Sequence, residues 1–233
     1  MKYFYLFLIP FFILSCKNGK RGSGNIIKQT RKISSINALN VSGPIQVIID
    51  TGAVPKLDVE SDDNIMEYVE TASNNNTLTI KLKEINNLRN ATIKIHLVIP
   101  ALKSITASAS ANVHSNKTMP VNEMVIFKAS SSSEINFSVN APIIKTEASS
   151  GATIVLEGKT RELDAEGSSG SNIDLSLLKS ETANASASSG SKITLFASIT
   201  LKAAASSGGN IKYRGGAALL NNNISSGGSI NAY

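Results

Sequence analysis

The sequence predicts an all-β protein, a parallel β-solenoid whose coils are roughly 19 residues long. Three observations carry this. First, one phrase recurs: "ASSGATIVLEG" at 148–158, "GSSGSNIDLS" from Gly167, "ASSGSKITLFA" from Ala187, "ASSGGNIKYRG" from Ala205 and "ISSGGSINAY" from Ile224. Second, apolar and polar residues alternate on both sides of each Ser-Ser-Gly turn. Third, the chain has no Trp and only 5% aromatic residues. Small and β-branched side chains must therefore fill the core, as they do between stacked strands.

The recurrence fixes a period. Aligned on the apolar residue after the turn, the anchors are Val113, Ile135, Ile154, Ile173, Ile193, Ile211 and Ile230, spaced by 22, 19, 19, 20, 18 and 19 residues. A period near twenty signals a solenoid. The asparagine and leucine frame of leucine-rich repeats is absent, which leaves the β-helix. The first two copies, "SASANV" and "SSSSEI", carry Ser110 and Ser132 where the later ones have glycine.

The alternation supplies two strands per coil. Two residues after the anchor stand Phe137, Leu156, Leu175, Leu195 and Tyr213. Ten before it stand Val125, Ile144, Leu163, Ala183, Leu201 and Leu220, all expected to point inward. Between these, Lys145, Glu147, Asp164, Glu166, Asn184 and Ser186 mark the outward parity. Gly151, Gly170, Gly190, Gly208 and Gly227 are expected at positive φ. The serines just before them (Ser150, Ser169, Ser189, Ser207, Ser226) continue the inward parity and are expected to form a buried hydrogen-bonded ladder. No coil can bury its apolar face alone, so neighbours must stack about 4.8 Å apart.

Taken in order, residues 1–15 read as a signal peptide: one basic residue, Lys2, and then an apolar run too short for a comfortable bilayer span. It ends at Leu14-Ser15-Cys16, which resembles the lipobox of bacterial lipoproteins. Cys16 is the only cysteine and has no disulfide partner, so it is the expected site of lipidation. Residues 16–32 read as a basic flexible tether, loosened by Gly19, Gly22 and Gly24. Lys17, Lys20, Arg21, Lys28, Arg31 and Lys32 lie in it without an acidic residue; without these six and Lys2, the net charge falls from +6 to −1. The basicity thus belongs to the tether, which suits an anionic membrane surface and not a nucleic-acid interface on the fold. Residues 33–105 hold strands without the turn signature ("IQVIID", "KLDVE", "TLTIKLKE", "ATIKIHLVIP") and are expected to form irregular coils that cap the solenoid. "DDNIMEYVET" reads as a turn of helix or a poor strand. Residues 106–233 are the regular coils.

The order "INALNVSGPIQVIIDTG", "LDVESDDNIMEYV", "NTLTIKL", "TIKIHLVIPALKSITASASANV", followed by the SSG repeats, resembles the DUF2807 family, the auto-transporter adhesin head GIN domain, from about Ile33 to Tyr233. The resemblance implies a right-handed single-stranded parallel β-helix, exported and often lipid-anchored in Bacteroidetes-type bacteria. It implies a role in adhesion and no catalytic residues. An outer-membrane anchor is then expected, with the domain facing the periplasm or the cell surface.

Catalytic constellations are scarce. A polysaccharide lyase on a β-helix needs clustered carboxylates for calcium and a basic residue. The nearest cluster is Glu147, Asp164 and Glu166, outward on adjacent coils beside Lys145; cross-coil pairing of Lys145 with Asp164 is the plainer expectation. His96 and His114 have no ligand frame around them. There is no G-x-S-x-G elbow. No catalytic, cofactor or metal residues are therefore assigned. Three functions remain: a non-enzymatic adhesin-like binding module, a carbohydrate-active β-helix, and a structural envelope component. Phe196, Arg214 and Tyr233 share one outward position on the last coils. Beside an open final strand edge, they make a candidate surface for a glycan, a protein or a second copy of the chain.

Overall fold

The structure, a computed structural model, describes residues 19–83, 85 and 87–233. The expected signal segment and Cys16 lie outside the described residues.

The regular coils follow the periodicity. Strands β11 (Val125–Ala129), β12 (Glu134–Asn140) and β13 (Ile143–Ala148) lead into three long ones: β14 (Thr153–Gly167), β15 (Asn172–Ala187) and β16 (Lys192–Ala205). Each long strand bends midway and so supplies both faces of one coil. The stack ends in β17 (Asn210–Arg214), β18 (Ala218–Ile224) and β19 (Ser229–Ala232). All pair in parallel with the equivalent strand of the next coil. The anchors Val113, Ile135, Ile154, Ile173, Ile193 and Ile211 are fully buried and form one apolar column. Phe127 and Phe137, both buried, pack ring to ring with 5.4 Å between centroids.

The turns obey a different rule from the strands. Each SSG turn places two successive residues in the left-handed region: Ser169 (φ 51°) and Gly170 (φ 69°), for example. Ser110 and Ser132 adopt the same conformation (φ 65° and 57°), so the two coils without glycine keep the same turn. The expected buried ladder at Ser150, Ser169, Ser189, Ser207 and Ser226 is not formed, because these serines are left-handed and exposed. Alternation holds only while the backbone is extended. The buried serines are instead Ser133, Ser171 and Ser191, two residues before the anchor. Their hydroxyls donate to Ala107 O, Ala148 O and Gly167 O at 2.8, 2.9 and 2.8 Å. Leu220 is also corrected. The register slips so that Leu219 pairs with Leu201 and Asn221 with Lys202, which squeezes Leu220 out to 60% exposure.

The N-terminal half departs from a simple stack. It comprises β1 (Ile26–Arg31), β2 (Ala38–Ser42), β3 (Gln46–Thr51), β4 (Lys56–Asp62), β5 (Val69–Asn74), β6 (Thr77–Leu82), β7 (Ile93–Ile99), β8 (Ser104–Ser108), β9 (Asn112–Ser115) and the short β10 (Met119–Pro120). A 3-10 turn, Met66–Tyr68, precedes β5, so "DDNIMEYVET" is helical first and extended after. The first coil, β2 with β3, pairs on one side with β8 and β9 and on the other with β6 and β7. Coil order in space is therefore not coil order in sequence. Antiparallel strands close this end: β5 on β6, and β4 between β7 and β1.

The basic flexible tether is a correction too. Its last part is β1, antiparallel to β4 from Ile26 opposite Asp62 to Arg31 opposite Leu57. Its first described part is clamped. Gly22 N donates to Arg89 O (3.1 Å), and Arg89 N donates to Lys20 O (2.9 Å). Gly24 N reaches the buried Asp62 carboxylate at 2.6 Å. The glycines serve close approach: a Cβ at Gly19 would lie 1.8 Å from Asn87 O, and one at Gly22 2.7 Å from the Asp62 carboxyl carbon. Much of the basic charge is used inside the fold. Lys28 pairs with Asp58 (3.1 Å), and Lys20 donates to the Tyr68 hydroxyl (2.7 Å) with its ammonium 4.1 Å from the ring centroid.

Candidate functional site

The coils farthest from the cap bring the predicted surface residues into one corner. Phe196 pairs in register with Arg214, and Tyr233 N donates to Tyr213 O at 3.1 Å. Successive coils thus present Phe196, Arg214 and Tyr233 one above the other. The Arg214 guanidinium lies 5.9 Å from the Tyr233 ring centroid, within cation–π range. Tyr233 is 57% exposed. Phe196 is only half exposed, because the loop at Gly215 runs against its ring.

The sequence reading missed a fourth member. Leu175 pairs with Leu195 and Lys179 with Phe196, so three extra residues bulge from β15. The bulge buries Leu178 and leaves Leu177 61% exposed. Arg214 Nη2 reaches two coils back to donate to Ser176 O at 2.9 Å, which ties the bulge to the column. The signal was present as an extra residue in the spacing from Ile173 to Ile193.

Along the opposite strand face runs a shallow groove of about 410 Å³. Lys128, Glu147 and Glu166 form one edge, and the half-exposed Ser130, Ser149, Ser168 and Ser188 form a hydroxyl row. The row was readable, since all seven copies carry serine five residues before the anchor. Of the acidic patch, Glu147 and Glu166 line this groove, and Asp164 lines a neighbouring hollow with Asn184 and Lys202. Glu147 pairs with Lys128 at 2.7 Å and Asp164 with Lys145 at 3.8 Å; Glu166 is exposed beside them. Mixed charge on a solvated face describes the arrangement. His96 lies 3.7 Å from Glu60, whereas His114 touches Asn112; Ile48 separates the two histidines in the ladder.

The strongest electrostatic perturbation is structural and sits at the cap. Asp58 is almost fully buried, yet its carboxyl is held well below the usual range. Hydrogen bonds from Lys56 (2.7 Å), Thr30 (2.7 Å) and Lys28 outweigh the effect of burial. These bonds fasten β1 to β4.

A family model for the "Putative auto-transporter adhesin, head GIN domain", DUF2807, matches residues 36–217, most of the chain. The chain belongs to the DUF2807 family. Solved structures share the family fold at low identity. A putative adhesin from Bacteroides fragilis superposes with a TM-score of 0.83 at 19% identity, covering 92% of this chain and all of that one. A putative adhesin from Parabacteroides merdae gives 0.77 at 20%, covering 92% and 98%. A putative lipid binding protein from Parabacteroides distasonis gives 0.74 at 20%, covering 92% and 99%. No curated protein matches the chain. For this DUF2807 member the likenesses establish the fold alone.

Proposed function

We propose that this protein is a non-catalytic, adhesin-like binding module of the cell envelope, lipid-anchored at Cys16 in the outer membrane, with its contact surface at the Leu177–Phe196–Arg214–Tyr233 corner. The observation that carries the reading is Arg214, held over Tyr233 and against the β15 bulge beside an exposed leucine. A guanidinium flanked by aromatic and apolar surface is the composition of contact hot spots. It suits a protein partner or a glycan face. Family membership and the adhesin-named structures support the same class of function.

The test uses soluble protein beginning at Gly19, spread over arrays of glycans and extracellular matrix proteins. The comparison is Leu177→Ser with Arg214→Ser, a double change on exposed side chains. Loss of array binding in the variant, with an unchanged melting curve, supports the reading. Equal binding by parent and variant, or no binding by the parent, overturns it. Light scattering on both reads self-association at the same corner. Mass spectrometry of the membrane fraction reads the acyl groups on Cys16, and protease shaving of intact cells reads which side of the membrane the domain faces.

A further inference from the structure

The clamped segment constrains how the domain meets a membrane. The chain is docked on the cap from Gly19 onward, and Cys16 is three residues earlier. Three residues span at most about 11 Å. An acyl anchor at Cys16 therefore cannot lie far from the cap end of the solenoid.

That end carries a broad, shallow cup of about 750 Å³. Ile27, Met66 and Val69 line it together with Arg31, Lys32 and Lys83, and the part-buried Arg31 donates to Val69 O (2.6 Å) and Thr71 Oγ1 (3.1 Å) within it. Its carboxylates are engaged: Glu67 with Lys20 (3.5 Å), Glu70 with Lys81 (3.7 Å), and Asp63 with Ser23 and Asn25 (2.6 and 2.9 Å). Lys32 and Lys83 are exposed and pair with no described carboxylate. Ile26 and Ile27, on the outermost strand, are 47% and 39% exposed. Apolar side chains ringed by long cations suit the boundary between acyl chains and lipid phosphates.

We propose that this cup is a membrane seat. It rests on the lipid headgroups beside the anchor and holds the solenoid upright, with the Leu177–Arg214 corner facing away. The proposal rests on acylation of Cys16. One face of the stack runs β1-β4-β7-β3-β9-β12-β14-β15-β16-β17-β19. At the usual strand spacing its far strand stands about 48 Å above β1.

The experiment uses the mature acylated protein in vesicles of phosphatidylethanolamine and phosphatidylglycerol. A fluorophore is attached to a cysteine introduced at the exposed positions Ser73→Cys on β5, at the cap end but outside the cup, or Ser226→Cys in the last turn. Energy transfer to a headgroup acceptor is then measured. Several-fold stronger transfer from position 73 than from 226 is expected. Replacing Ile27, Lys32 and Lys83 together with serine should shrink the difference to what the short anchor alone imposes, while the protein still floats with the vesicles. Equal transfer from both labels in the parent, or a difference unchanged by the triple change, overturns the seat and leaves the anchor intact. Protein that does not float with the vesicles overturns the acylation of Cys16, and the seat with it.

Discussion

The three buried turn serines offer a measurement of what holds one coil to the next. Ser133, Ser171 and Ser191 each donate to a carbonyl of the preceding coil and each accept from the backbone N–H three residues earlier: Ser130 N (3.1 Å), Ser168 N (3.1 Å) and Ser188 N (3.0 Å). Those N–H groups also donate to the same carbonyls at 3.0 Å. Replacing serine with alanine therefore removes the donated bond and one arm of a shared N–H, and orphans no buried group because the N–H and the carbonyl still bond each other. Alanine also fits the column, since Ala111 and Ala152 occupy it in other coils and are 1% exposed. The cost should be the net value of a buried hydrogen bond, about 1 kcal/mol each. Ser133 and Ser171 are two coils apart, so their effects should add; Ser191 lies on the coil next to Ser171, so the triple variant should lose about 2–3 kcal/mol. Urea unfolding followed by circular dichroism would show a lower midpoint with an unchanged slope. Ser150→Ala, exposed and at φ 53°, is the control and should change stability by less than about 0.5 kcal/mol. A triple variant indistinguishable from that control would refute the argument that these hydroxyls tie coil to coil.

Further outcomes follow from the turns and the cap. Gly190 sits at φ +73° with open space around it, so Gly190→Val costs backbone strain alone, about 1–3 kcal/mol, against near zero for the exposed Lys192→Val in thermal melts. Gly22→Val should free the clamp without melting the body, read as faster trypsin cleavage after Lys20 and Arg21 with an unchanged main transition. Asp58 is held below its unfolded pKa, so its contribution is complete above about pH 4 and is lost as the pH falls through the folded value. The melting gap between the parent and Asp58→Asn should therefore be constant from about pH 7 to about pH 4 and narrow below that.

The regular coils were legible because each contact repeats. A side chain in the Ile154 column meets its own kind above and below, and that leaves a period in the chain. The strand parities held wherever the backbone is extended. The reading failed inside the turns, at the bulges and at the first glycines. Two left-handed residues in succession break the parity inside the turn, which moved the buried hydroxyl from Ser169 to Ser171. Bulges slip the register, which exposed Leu177 and Leu220. The N-terminal half has no period because its neighbours are far apart in sequence and partly antiparallel. The glycines at 19 and 22 look the same in a loose linker and in a tight clamp; only the Asn87 and Asp62 atoms against them tell the two apart.

The position of the first coil has a consequence for synthesis. Strands β2 and β3 are sandwiched between β6–β7 and β8–β9, so Ala38 pairs with both Thr77 and Ser104. A chain emerging N-terminus first cannot build this end one coil at a time. It must hold everything through Ser115 before the sandwich closes, and closing such long loops is the slow step in β topologies. After that, each new coil finds a finished template about 19 residues behind it. Assembly is thus a single slow event followed by quick additions, and the cap is the unit whose completion licenses the rest.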